Sequence, residues 1–227
     1  MVNIKLNKEL DYEIYKDFWD FKTAGVDFGM TIQKEHPLIT LDNHKEYIDK
    51  FYSTNQTALN SVCSELQLEV SEKQEVFFDA LRNLFEIDFR NKNYTGFLSI
   101  FNCNPRFVES KTFQVFYKKD IPHKIEVIFH EIMHFAFFDY CEKNLKYKIK
   151  GMDTNSGPLW ELSEIFNIIV LNEPKFKSLL GMEEKLFYSD LKEKCEVVKK
   201  IWSEEKENLL FFLEKSIDYI NSTNLSQ

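Results

Sequence analysis

The stretch Phe129-His130-Glu131-Ile132-Met133-His134-Phe135 decides how this chain is read. It follows a helix-entry signal, Asp120-Ile121-Pro122, in which Pro122 suits a first helical turn. The pattern predicts a long apolar helix from about His123 to Lys143. Two histidines four apart share one helix face, with Cβ atoms about 5–6 Å apart. That spacing lets both imidazoles reach one tetrahedral Zn²⁺. Glu131 is rotated away from both, so it is placed to act as a base toward an activated water rather than as a ligand. The flanking Ile125, Val127, Ile128, Phe129, Phe135, Ala136, Phe137 and Phe138 are apolar. Burying two histidines and a glutamate among them is costly unless they are paired. A metal removes that cost. The competing reading is two core histidines satisfied by backbone carbonyls.

The rest of the composition narrows the class. The chain has 227 residues, 44% of them hydrophobic and 15% aromatic, which excludes a disordered protein. Its net charge of −8, without a Lys/Arg cluster, argues against a nucleic-acid partner. No apolar run approaches the roughly 18 residues of a membrane span. The start, Met1 to Leu10, has no apolar signal segment, so a cytoplasmic protein is expected. Cys63, Cys103, Cys141 and Cys195 lie far apart and form no CxxC, and read as reduced core thiols. Twenty-two phenylalanines against six glycines and five prolines suggest long, well-packed elements.

One domain over residues 1–227 is expected, with a helical N-terminal region to about 90, a catalytic core over 91–172 and C-terminal helices over 173–227. Glu13–Lys22 reads as a short helix, and Asn43–Leu68 as one or two more. Ser71 and Gln74 have the capping-box form, so a separate helix is expected over Ser71–Phe89. Phe97–Cys103 and Thr112–Tyr117 read as strands. After a Gly/Asn/Ser loop, Pro158 opens an apolar helix from Leu159 to about Leu171. Amphipathic helices are expected near Glu183–Lys200 and Ser203–Ile220. His36 and His44 are expected at the surface. The fold class is α+β, mostly helical, with a small sheet packed on the histidine helix.

His130-Glu131-Ile132-Met133-His134 resembles the active-site helix of the zincin metallopeptidases. The extended form, with a glycine and a third histidine shortly downstream, is absent: residues 135–146 hold neither. The resemblance covers roughly residues 96–172. It implies the glutamate-zincin branch, in which the third ligand is a glutamate on a later helix. Here that helix offers Glu161 and Glu164. Acidic residues are favoured in a first helical turn whatever their use, which accounts for Glu161. Glu164 lies beyond that turn, between Trp160, Ile168 and Leu171 on the helical wheel, and a buried carboxylate there needs a cation. Glu164 is therefore the favoured ligand and Glu161 its competitor. The branch's usual aspartate four residues after the ligand is replaced by Ile168, with Asn167 one position earlier as a candidate partner for His130.

The resemblance implies a zinc-dependent peptidase with a peptide or protein substrate. His130, His134 and Glu164 would hold Zn²⁺ and Glu131 would be the base. Tyr188 is the first candidate for a proton donor to the oxyanion, ahead of Tyr140 and His123. Zincins often bind extended substrate along an edge strand, and Thr112–Lys118 is either that strand or an ordinary core strand. Two other functions remain open: a non-peptidase zinc hydrolase such as an amidase, and a non-catalytic zincin-like scaffold.

Overall fold

The computed structural model, which describes residues 1–224, builds its main sheet from pieces of chain far apart in sequence. Strand β1 (Val2–Leu6) lies parallel to β4 (Tyr94–Ser99), and β4 lies parallel to β6 (Thr112–Phe116). The short β5 (Arg106–Phe107) runs antiparallel to β6, giving the order β1-β4-β6-β5. Between β1 and β4 come α1 (Lys8–Phe18), a hairpin of β2 (Lys22–Thr23) and β3 (Val26–Asp27), α2 (Phe28–Glu35) and the 42-residue α3 (His44–Phe85). After β6 come α4 (Ile121–Asn144), α5 (Lys146–Ile149), α6 (Gly157–Leu171), α7 (Pro174–Leu180), α8 (Lys192–Glu205) and α9 (Leu209–Asn224). The protein is mostly helical with a small mixed sheet. No described helix is long and apolar enough to cross a membrane.

The chain resolves into two compact units, one of Met1–Glu75 with Arg90–Glu131, the other of Val76–Phe89 with Ile132–Gln227. In the first unit both flanks of the sheet are occupied. The β1 edge is answered by side chains of α3. Gln67 accepts from Ile4 N (2.7 Å) and donates to Val2 O (3.2 Å), Gln74 accepts from Val2 N (3.0 Å), and Cys63 donates to Ile4 O (3.5 Å). Unpaired edge groups invite association with other chains, and this ladder blunts them. On the opposite flank, Gln114 N donates to Pro105 O (2.9 Å) and Phe116 N to Asn104 Oδ1 (3.0 Å). Thr112–Lys118 is therefore not an edge strand. Its residues Phe113 to Phe116 are buried, and the edge of the sheet is β5. Gly96 is needed at the centre of β4, because a Cβ there would stand 2.8 Å from the Phe113 ring.

Asp11 ties α1 to this sheet. Fully buried, it accepts hydrogen bonds from Ser99 Oγ (2.6 Å), Tyr52 Oη (2.7 Å), Gln114 Nε2 (2.9 Å) and Ile100 N (3.2 Å). Burial pushes its carboxyl up to about 6. Capture of Ser99 and Ile100 by Asp11 explains why the strand expected over Phe97–Cys103 stops at Ser99. His36 is not a surface residue. It is 1% exposed, with its ring nitrogens 2.8 Å from Ile100 O and 3.0 Å from Tyr47 Oη, among the rings of Tyr47, Phe51 and Phe101. His44 is half-buried and stacked on Tyr15.

No break occurs in α3 at Ser71. Its hydroxyl donates to Gln67 O (2.7 Å) and accepts from Gln67 Nε2, while Gln74 serves β1, so the apparent capping box is spent on other bonds. In the second unit α6 is buried from Leu162 to Leu171. Rings of Phe166, Trp202 and Phe212 pack α6, α8 and α9 together, at centroid separations of 4.9–6.4 Å. The helix expected from Glu183 begins only at Lys192; residues 183–188 belong to no helix or strand.

Candidate metal centre

Helix α4 begins where Asp120 accepts from His123 N (3.0 Å), a cap on one of the helix's free N–H groups. The His123 ring lies 2.6 Å from the same carboxylate oxygen, so this histidine is committed to the helix start. Unbroken from Ile121 to Asn144, α4 keeps His130 and His134 one turn apart on one face. Helix α6 is aimed by a turn in which Asp153 accepts from Asn155 N (2.8 Å) and Ser156 Oγ (3.0 Å). Gly157 then adopts a left-handed φ of +68°, and Pro158 lies in the first turn.

These two helices bring His130, His134 and Glu164 together. One ligand atom from each lies within 4.8 Å of the other two. His134 is fully buried, Glu164 is 5% exposed, and His130 is half-buried. His134 Nε2 and Glu164 Oε1 are 3.5 Å apart. A charge-assisted hydrogen bond runs at about 2.7–2.9 Å. Two ligands each about 2.0–2.1 Å from a tetrahedral ion stand roughly 3.4 Å apart. The observed separation fits the second arrangement. Two imidazoles and one carboxylate also form a donor set that suits a divalent transition metal with a position left open. The residues fit a metal ion.

Glu161, the competing carboxylate, is used elsewhere. It accepts from Lys194 Nζ (2.7 Å), a lysine of α8, and from Asn224 Nδ2 (3.2 Å). Lysine 194 lies 33 residues downstream, and nothing local in the sequence announces the pairing. Glu131 is 5% exposed, next to His130 on α4 but off the ligand face. Asn167 is fully buried three residues after Glu164. The Phe138 ring lies parallel to the His134 imidazole at 6.0 Å, and Phe137 packs on Phe166 at 5.1 Å, an aromatic wall beside His134.

Tyr188 is half-buried and packs edge-on against Trp160 at 5.0 Å. Trp160 stands one turn before Glu164 on α6. Tyr140 packs on Phe85 instead, and burial raises its phenol pKa. Sequence reasoning named Trp160 only as a neighbour of Glu164 on the helical wheel, and it missed Asn172, whose side chain bonds the backbone of Glu184. No protein-family model, no curated protein and no solved structure matches this chain.

Proposed function

We propose that this protein is a zinc-dependent hydrolase of peptide bonds. The observation that carries the reading is the His130–His134–Glu164 cluster, buried at His134 and Glu164, with an acidic residue, Glu131, set beside it on α4. Two histidines and a glutamate would hold Zn²⁺. When bound, the ion supplies Lewis acidity, which lets a water ionise near pH 7. Glu131 receives that water's proton on its carboxylate and returns it to the departing amine. Its burial keeps bulk water from competing for the proton. Tyr188, resting on Trp160 beside the ligand helix, is assigned the developing oxyanion. Phe138 and its neighbours exclude solvent from the ligand side.

A base adjacent to the ligands supports catalysis over a scaffold role, since a metal that only staples a fold has no use for Glu131. The test is to load the protein with zinc and expose it to a peptide library beside a Glu131→Gln variant. Cleavage by the native protein, lost in the variant while zinc is retained, is the expected outcome. Zinc retained by both with cleavage by neither contradicts the reading.

A further inference from the structure

Trp160, Glu164 and Ile168 on α6 and Asn172 at its C-cap recur every four residues, so each neighbours the next on the helix surface. After α7 the chain returns along this stripe. Asn172 clamps Glu184 by its backbone, accepting from its N–H (3.1 Å) and donating to its carbonyl (2.9 Å). Four residues on, Tyr188 packs against Trp160. Residues 184–188 therefore form a strap fixed at both ends of the stripe that carries Glu164.

Beside this strap, against α8, lies a cavity of about 370 Å³, within the roughly 300–1,000 Å³ of small-molecule sites. Ile168, Leu186 and Cys195 give it an apolar lining. Ile168, which lines the cavity, stands one turn from Glu164 on α6, about 5–6 Å between Cβ atoms. Charges at its mouth are unequally committed. Glu183 pairs with Lys177 (3.0 Å) and Glu196 with Lys199 (3.2 Å). Lys185 and Lys192 are exposed and form no ion pair among the described residues. The remaining acid, Glu184, lines the same cavity but is buried, at 7% exposure, rather than standing at the mouth. Two uncommitted cations thus face solvent at the rim of a slot whose lining mixes Ile168, Leu186 and Cys195 with polar groups such as Asn172 and Ser189.

We infer that this cavity is the specificity pocket of the proposed hydrolase and takes an acidic side chain of the glutamate type. The methylene stem lies against Ile168, Leu186 and Cys195, and the carboxylate reaches Lys185 and Lys192. The pocket's place beside a scissile bond rests on the hydrolase reading; its chemistry does not. A basic side chain would meet two lysines, and a neutral amide would lose their attraction.

The test compares two isosteric probes, N-acetyl-glutamic acid α-amide and N-acetyl-glutamine α-amide, by chemical-shift titration of the zinc-loaded protein. The acidic probe is expected to bind at least tenfold tighter, an advantage that shrinks with added salt and disappears in a Lys185→Glu, Lys192→Glu double variant. Both lysines are exposed, so that variant should fold, which its thermal melt checks. Equal affinity for the two probes overturns the inference, as does an advantage that survives the double variant. A peptide cleavage profile separates the two claims. Cleavage without an acidic preference at any position sinks the pocket and leaves the hydrolase. Selective probe binding without cleavage of any peptide does the reverse.

Discussion

Asp11 in the first unit and Glu164 in the second are both buried, at 0% and 5% exposure, yet their surroundings differ in kind. Asp11 is surrounded by donors. A serine, a tyrosine, a glutamine and a backbone N–H fill both of its oxygens, and all four are neutral. Glu164 instead faces imidazole nitrogens at ligand spacing. The first carboxylate is complete within the protein, and the second is arranged for a cation. Burial of an acid is therefore no sign of a site by itself. The identity of its neighbours separates a structural hub from a ligand.

The largest effect should come from the catalytic side of this contrast. Glu131→Gln keeps the ligand set and removes the base, so turnover of any cleaved peptide should fall about 10²–10⁴-fold with zinc content unchanged. Steady-state rates on zinc-matched samples check this. The next effect reverses the roles of the two acids. Asp11→Ala strands three buried donors and the half-buried Tyr52 hydroxyl, and should cost about 3–5 kcal/mol of stability. Glu164→Ala in metal-free protein should cost less than about 2 kcal/mol, because it also removes a buried charge. Urea unfolding in chelator compares them, and a larger loss for Glu164→Ala would dissolve the distinction.

A smaller effect is one of pH. Burial raises Asp11 to about 6 in the folded protein, above its value in the unfolded chain. The folded state then binds more protons between those two values. The stability this residue contributes is full below about pH 4 and is lost as pH rises through about 6. Relative to Asp11→Asn, the native protein should lose roughly 2 kcal/mol between pH 4 and pH 7. Urea midpoints of both proteins across that range measure the difference, and parallel curves would contradict it. Smallest is the β1 edge. Gln67→Ala frees Ile4 N–H and Val2 C=O, at a cost of about 1–2 kcal/mol by thermal melt.

Much of this contrast was legible in the sequence on one side only. Helices α4 and α6 announce themselves through local signals, Pro122 and Pro158 at their starts and dense apolar flanks, so the candidate ligands lie on the elements expected. Choosing Glu164 over Glu161 also followed from local position. The first unit hides its logic because its bonds span long separations. Strand β1 is five residues that become a strand only by pairing with β4 some ninety positions away. Ser71 and Gln74 imitate a helix start, and their side chains are used by Gln67 and Val2 instead. His36 sits in a polar stretch yet is buried by Tyr47, Phe51 and Phe101. The strap over residues 184–188 looks helical by composition and is instead non-helical, clamped at Glu184 by Asn172, which no local pattern reveals.

The most direct test of the central claim is zinc stoichiometry after equilibrium dialysis, by elemental analysis, for the native chain, Glu164→Ala and Glu161→Ala. One equivalent is expected in the native protein and in Glu161→Ala, whose side chain pairs with Lys194, and under a tenth of an equivalent in Glu164→Ala. A full equivalent in Glu164→Ala, or none in the native protein, would contradict the account.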